Sequence, residues 1–549
     1  MHRGSPDRQQ QLFEKSDCKR TRFPRKTNIF STKAVDEVPG SINGLIERWS
    51  RKVDVELNHW WNVFKEKVEE KARFLKTNTK FSNKKCRSLF ARNDVKQELA
   101  RLHEHYVLVP IDKAAKNVAF VCKRFYIEVL FRELGLMGNT ANATYSRAGR
   151  SLETLVQEHM KAFSKYGIST PNETQQKLPF LYWIPKFHKN PIKFRFIAAS
   201  FCCTSKPLSA TFTICLKEVQ RMLSQYCRRI HFATSINQMW IAENSEAVMK
   251  NLAKINRKNN AKTIATYDFS TLYTSIPHDA LIEAIRCCIE RAFRGGFGKY
   301  LVVRGKTCSW SRKAHRNRPS FSLEQLQEMT KLLIENIYFK VGSIVFRQNI
   351  GIPMGTDCAP FMANMFLHHY EAKFITSNRP RKWHTCKLLS HNKRYIDDML
   401  VLNAGHVFEQ VKDEIYPKEL VLNKENQEDF AGHFLDLDIK IQNKRFCVKL
   451  FDKRDAFRFA IVNFPFLDGN IPERIGSSVI ISQLVRFSKC TFAEDFFAVA
   501  GKLLRKVQNQ FFSKRLIARA VKRFAQNHFD LVAKYGIHKR IVVSSLLST

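Results

Sequence analysis

At 549 residues the chain exceeds what one hydrophobic core usually serves, and its 44% hydrophobic and 12% aromatic content excludes general disorder. The 92 Lys and Arg against 50 Asp and Glu leave a formal charge of +42, so the natural partner is a polyanion, nucleic acid before an anionic membrane surface. No long apolar run and no basic-then-apolar leader is present, and the 14 Cys include no CxxC pair, which predicts neither a spanning segment, a secreted protein, a zinc site nor a disulfide framework, but reduced thiols in the nucleus or cytoplasm.

Residues 1–40 are polar and basic (Lys19, Arg20, Arg22, Arg25, Lys26) and carry Gly4, Pro6, Pro24 and Pro39, the composition of a flexible arm. Residues 41–104 place Trp60, Trp61, Phe64 and Val68 at helical spacing. Two short β-type runs, Tyr106–Pro110 and Val118–Cys122, then flank the polar stretch Ile111–Asn117. A further extended segment, 180–200, is broken by Pro185 and Pro191.

The middle of the chain alternates strands and helices. Thr263–Asp268 reads as a strand, 278–293 as a helix opening after Pro277, 322–337 as a second helix, Phe339–Arg347 as a hairpin turning at Gly342–Ser343, and Cys358–Ile375 as a third helix. Tyr395–Val401 reads as strand–turn–strand, and Phe434–Ile441 alternates with the period of a strand. Residues 299–318 carry Lys299, Arg304, Lys306, Arg312, Lys313, Arg316 and Arg318 without one acid, which predicts a basic loop. From Gly476 the pattern is helical. Residues 496–529 hold Lys502, Arg505, Lys506, Lys514, Arg515, Arg519, Lys522 and Arg523, again without an acid, as a clamp on a duplex requires.

The chemistry lies in carboxylates set among apolar residues. Asp268 ends a β-type run, and Asp397 and Asp398 are adjacent within Tyr395–Val401. Two like charges about 4 Å apart cost about 4 kcal/mol at an effective dielectric near 20, and burial adds to that. A turn is the plain reading of an isolated Asp-Asp pair. A pair of divalent cations is the other, because phosphoryl transfer uses two ions that bridge the attacking and leaving oxygens.

Six segments in order decide between them. Tyr267–His278 (YDFSTLYTSIPH), Gly351–Pro360 (GIPMGTDCAP) and Arg394–Asp398 (RYIDD) resemble the three palm motifs of reverse transcriptases. Upstream, Pro110–Lys113 (PIDK) and Ile184–Ile197 (IPKFHKNPIKFRFI) resemble the two fingers motifs, and downstream Phe434–Asp438 (FLDLD) is similar to the primer-grip strand. The wording is most similar to the reverse transcriptases of Penelope-like retroelements, over residues 105–530 or so.

The resemblance implies an α+β right-hand polymerase: a basic arm (1–40) and helical region (41–104), fingers (105–255), a palm with an antiparallel sheet and the basic loop 299–318 (256–445), and a helical thumb and tail (446–549). It implies that Asp268, Asp397 and Asp398 are catalytic and hold two Mg2+ ions, with Mn2+ as a substitute. Arg195, assisted by Lys113, would grip the triphosphate. Tyr273 would exclude a ribose 2′-OH, and Met354–Gly355 would pack against the templating base and incoming nucleotide.

The partners implied are an RNA template, a DNA primer and dNTPs, with no membrane and no obligate protein partner. His188 and His278 read as structural. A catalytically inactive, nucleic-acid-binding remnant of a retroelement would lack a carboxylate or an intact GIPMGTDCAP segment, and both are present; a metal-dependent nuclease would have no use for the fingers motifs or Tyr273.

Overall fold

The computed structural model describes Glu66, residues 93–137, 144–168, 171–172 and 176–452, and, beyond these, 457, 459, 461, 464–468, 471–533 and 539–548. The basic arm and all but the end of the helical region 41–104 therefore lie outside the described residues. The chain forms two compact units. The first comprises 1–159, 173–204 and 337–349; the second comprises 160–172, 205–336 and 350–549.

In the first unit, helix α1 (Asn93–His105) leads into β1 (Tyr106–Ile111), which turns through Asp112–Lys113 into β2 (Ala114–Cys122). Lys113 takes the turn's left-handed conformation, φ 65°. Helix α2 (Lys123–Glu133) follows, then β3 (Tyr145–Arg147), α3 (Leu152–Ser164) and the antiparallel pair β4 (Leu181–Lys186) and β5 (Lys193–Ala198). Pro185 does not break this segment as the sequence suggested. It lies inside β4, opposite Phe194, and its carbonyl accepts the Asp112 amide at 3.0 Å. β4 has no further partner within its two-stranded sheet, so the missing proline N–H costs no ladder bond. The hairpin Tyr338–Val341 and Ile344–Gln348 turns at Gly342–Ser343 as expected, and its second strand pairs with β3.

The second unit is built on helices α4 (Lys206–Thr234) and α5 (Ser245–Asn256), assigned by the sequence reading to the fingers stretch, and on strand β6 (Ile264–Ser270). After α6 (His278–Gly295) the residues expected as a basic loop form a three-stranded sheet instead: β7 (Tyr300–Arg304), β8 (Thr307–Ser311) and β9 (Ser320–Phe321), ordered β8–β7–β9. The charge count hid the run Leu301, Val302, Val303, all buried, which is the strand's reason to form. Helix α7 (Leu323–Glu335) starts at a capping box, Ser322 with Gln325, and α8 (Ala359–Asn378) is buried on most of its circumference.

β10 (Lys393–Tyr395), β11 (Asp398–Leu402), α9 (Gly405–Ile415) and β12 (Val421–Lys424) complete the central sheet, ordered β10–β11–β6–β12 and antiparallel throughout. Period-two alternation divides it cleanly. Ala265, Tyr267, Phe269, Met399 and Val401 face the main core with α4, α6, α7, α8 and α9. Ile264, Leu400 and Leu402 face a second core shared with α5 and the sheet β13 (Ala431–Phe434), β14 (Leu437–Gln442) and β15 (Arg445–Leu450).

Phe434–Ile441 is thus two strands and a turn, not one strand, because Leu435 adopts φ 56° and reverses the chain. Its apolar alternation survives the turn, which is why the sequence did not reveal it. Helices α10 (Glu473–Cys490), α11 (Ala493–Gln508), α12 (Lys514–Asn527) and α13 (Lys539–Ser548) pack around Leu484, Phe496, Val521 and Phe524 as the expected helical region. None of the described helices is long and apolar enough to cross a membrane.

The β14–β15 turn holds two residues, Asn443 and Lys444, at φ 49° and 59°. A left-handed Lys costs about 1 kcal/mol that a Gly avoids, and Asn-Gly is the favoured pair for such a hairpin. Lys444→Gly should therefore raise stability to urea by about 0.5–1 kcal/mol; an unchanged midpoint would contradict the turn.

Candidate active site

β6 and β11 run antiparallel with Asp268 and Asp398 as direct partners, so both side chains leave the same face of the sheet. That face is the one whose earlier positions, Ile264, Leu400 and Leu402, are covered by the second core. At Asp268 and Asp398 the cover has ended, and both are only half-buried. Alternation alone thus carries two acids from a hydrophobic ladder to an accessible end.

Asp397 lies in the two-residue turn joining β10 to β11, and its carbonyl accepts the Phe269 amide at 3.1 Å. The three predicted carboxylate residues therefore meet at one end of the sheet. On the other side of β6, Asn423 is the ladder partner of Asp268 and donates to Ser270 Oγ at 2.5 Å. Sequence reasoning missed Asn423, a lone amide in an undistinguished strand.

The turn is strained. Ile396 has φ 56°, a conformation poorly suited to a β-branched side chain. Arg394 holds it. Fully buried, it donates Nη1 to the Ile396 carbonyl at 3.0 Å and to Asn364 Oδ1 at 2.8 Å, and Nη2 to the Asn364 carbonyl at 3.1 Å. Its Nε reaches Glu371 Oε1 at 2.5 Å, and Tyr416 Oη donates to the same oxygen at 2.9 Å. Burial drives the Tyr416 phenol well above its ordinary pKa, which keeps it a donor. Arg394 is the nearest cation before the acid pair in the sequence, yet its guanidinium serves Glu371 inside the core. It ties the turn to α8.

The remaining predicted residues of this unit are joined through backbone. Tyr273 sits in the short helix Leu272–Ser275, half-buried against the main core. Its carbonyl accepts the Ile352 amide at 2.6 Å, and the Gly351 amide donates to the Ile276 carbonyl at 2.8 Å. Gly351 has φ 89°, and a Cβ there would lie 2.2 Å from the Tyr273 carbonyl oxygen, so no other residue fits. His278 Nε2 is 2.8 Å from the Gly351 carbonyl, the structural part expected of it. Met354 and Gly355 form the following turn, Gly355 exposed with φ 118°. Asp357, next along, is held by Lys206 Nζ at 2.7 Å.

Arg195 and Lys113 belong to the first unit. Arg195 Nη1 lies 3.3 Å from Asp112 Oδ1, a carboxylate only 6% exposed, and Lys113 stands exposed on the same turn. Asp112, a motif member given no role, orients the arginine.

Asp268, Asp397 and Asp398 offer hard oxygen donors of the kind Mg2+ requires. Among the described residues no three Asp, Glu, His or Cys side chains converge tightly enough to enclose an ion in this conformation. The donor set fits by its chemistry and by the strand register that places Asp398 across from Asp268 with Asp397 in the adjoining turn.

This architecture has counterparts among solved structures. A telomerase from Candida albicans, solved with a fragment of telomeric RNA, aligns with a TM-score of 0.51 over 82% of this chain and 72% of its own, at 10% identity. The fold is that of a reverse-transcriptase-like polymerase. An apo telomerase from Candida tropicalis aligns at a TM-score of 0.42 (12% identity; 86% and 83% covered), and the RNA-dependent RNA polymerase of a human picobirnavirus at 0.38 (10%; 83% and 86%). No protein-family model matches the chain, and neither does any curated protein sequence. The right-hand polymerase class expected from the motifs is therefore observed.

The Arg394–Glu371 pair generates a prediction. Removing one partner of a buried ion pair costs about 3–5 kcal/mol, whereas replacing both by apolar residues is often near neutral. Arg394→Met should be strongly destabilising, and Arg394→Met with Glu371→Met should recover most of that loss. Additive losses in chemical denaturation would show that the two residues are not coupled.

Proposed function

We propose that the protein is an RNA-directed DNA polymerase of a Penelope-like retroelement, joining dNTPs to a primer 3′-OH along an RNA template. The observation that carries this reading is the direct pairing of Asp268 with Asp398, with Asp397 in the adjoining turn, at the accessible end of an antiparallel sheet. RNA as template and a retroelement as source follow from the motif wording, and the fold supports the coarser reading of a nucleic-acid polymerase.

Asp268, Asp397 and Asp398 would hold two Mg2+ ions, with Mn2+ as a substitute; when bound, such ions neutralise the phosphates and favour the alkoxide form of the primer hydroxyl. The chain's own side chains do the rest. Arg195, aimed by Asp112, presents a planar pair of donors to a phosphate, and Lys113 adds a point charge on the same unit. Tyr273, fixed through its carbonyl by Ile352, occupies the space a ribose 2′-OH would need. Gly355, without a side chain, lets the Met354–Gly355 backbone approach the nascent base pair. Thumb cations such as Lys514, Arg515 and Arg519, all exposed, contact backbone phosphates without reading sequence.

Primer extension on poly(rA)/oligo(dT) with Mg2+ or Mn2+ tests the assignment. Asp397→Ala should lower the rate by about 10³-fold or more while hybrid binding persists. Equal extension by the two proteins would sink the polymerase reading, and inactivity of both would favour the binding remnant. Tyr273→Ala should raise incorporation of rNTP relative to dNTP by about tenfold or more, as expected when a steric exclusion is removed. Unchanged selectivity would remove Tyr273 from the sugar site.

A further inference from the structure

The sheet between α6 and α7 has no part in the proposed reaction. β7 is its central strand, and β8 and β9 are both antiparallel to it, so residues 312–319 must cross from one edge to the other. One face is anchored. Leu301 and Val303 enter the main core, and Trp310 donates Nε1 to Glu218 of α4 at 2.7 Å and meets Phe293 edge-on at 4.8 Å. On the opposite face Val302 is buried as well.

The crossing segment is fixed by its own hydrogen bonds. Lys313 N donates to Ser311 Oγ at 3.3 Å, His315 N to Ser320 Oγ at 2.9 Å, Asn317 N to His315 Nδ1 at 3.2 Å and Val303 N to the Pro319 carbonyl at 2.9 Å.

On this frame Lys299, Arg304, Lys306, Arg312, Lys313, Arg316 and Arg318 are all exposed, and among the described residues none of them forms an ion pair. An ordinary solvated face mixes signs, as on α6, where Arg286 bridges Glu283 and Glu290. Seven ordered cations without an acid repel one another, and a polyanion is what relieves that repulsion.

Position adds a length scale. Helix α6 begins at His278, bonded to Gly351 beside the Met354–Gly355 turn, and its 18 residues end at Gly295, just before the sheet. A helix of that length spans about 27 Å, equivalent to about eight base-pair steps. The sheet that carries the cations therefore starts about one length of α6 from that turn.

We propose that the 299–318 sheet is a second nucleic-acid grip, holding the phosphodiester backbone of template–primer remote from the carboxylates. This rests on the polymerase reading for the source of the nucleic acid. Arg304, Lys306, Arg316 and Arg318 make the contacts, by charge and by the guanidinium fork, without reading bases.

The full chain carrying Arg304→Glu, Lys306→Glu, Arg316→Glu and Arg318→Glu tests it, alongside a variant with Gln at the same four positions. Binding is followed by fluorescence anisotropy without nucleotides, on an RNA–DNA hybrid of about 6 base pairs and on hybrids lengthened to about 30 on the duplex side or on the single-stranded template side.

The Glu variant should bind one of the long probes about tenfold or more weakly, with the salt slope reduced by about 3, the Gln variant falling between. Short-probe affinity, short-probe extension and the thermal melt should not change. Equal affinity and equal slope on every probe would overturn the proposal. Loss of binding to phosphatidylserine vesicles with no change on hybrids would overturn it too, and assign the patch to a membrane. A protein that binds as described but never extends a primer would contradict only the polymerase reading.

Discussion

An antiparallel ladder sets Asp398 directly across from Asp268, two carboxylate side chains on one face of one sheet, and much of the second unit serves to hold the strands in that register. Such a pair can persist only where the strands are locked by something other than the acids. Here the lock is apolar and lies on both faces. Tyr267, Phe269, Met399 and Val401 are buried on one side, and Ile264, Leu400 and Leu402 on the other. Register follows from burial, because a one-residue slip would send every one of these side chains to the wrong face. The acids occupy the next positions in the same alternation, so their juxtaposition comes from the hydrophobic pattern and not from any attraction between them.

The turn between the strands depends on a different force. Ile396 would not choose its left-handed conformation unaided, and the Arg394 guanidinium compensates by binding its carbonyl while remaining saturated by Glu371 and Asn364. Since Glu371 and Asn364 both lie on α8, the helix that follows the Met354–Gly355 turn is mechanically joined to the Asp397 turn. The Tyr273 segment is joined to the same loop through Gly351, where backbone meets backbone too closely for any side chain. Three sequence-distant motifs are thus tied together, by the Arg394 side chain at the Asp397 turn and by backbone against backbone at Gly351, and such ties are what precise positioning demands.

How much of this the sequence showed depends on the kind of information each part carries. The strand–turn–strand at Tyr395–Val401, and with it the meeting of Asp268, Asp397 and Asp398 at one end of a sheet, was legible because ordered motifs and short-range periodicity both mark these segments. The helices α6, α7 and α8 were legible from their flanking residues and apolar spacing. Three features were not. The sheet at 299–318 was masked because its few buried residues sit within a dominant charge run. The turn at Leu435 was masked because a reversal that takes up two residues leaves the alternation intact. The structural part of Arg394 was masked because its partner Glu371 stands 23 positions away and only the fold brings them together. Pairing between distant residues is tertiary information, and a single sequence does not display it.

The excess positive charge can be understood on the same footing. A folded sheet holds its cations at fixed spacing before anything binds. The ordering cost is then met during folding, by Leu301, Val302, Val303 and Trp310, and is not charged against binding. The helices α11 and α12 repeat the arrangement, with Val507, Leu516, Val521 and Phe524 inward and Lys506, Lys514, Arg515 and Lys522 outward. In both places an apolar strip decides where the cations stand, and their shared sign decides what they can hold. A chain carrying +42 thereby folds around its apolar residues and leaves these cations facing outward.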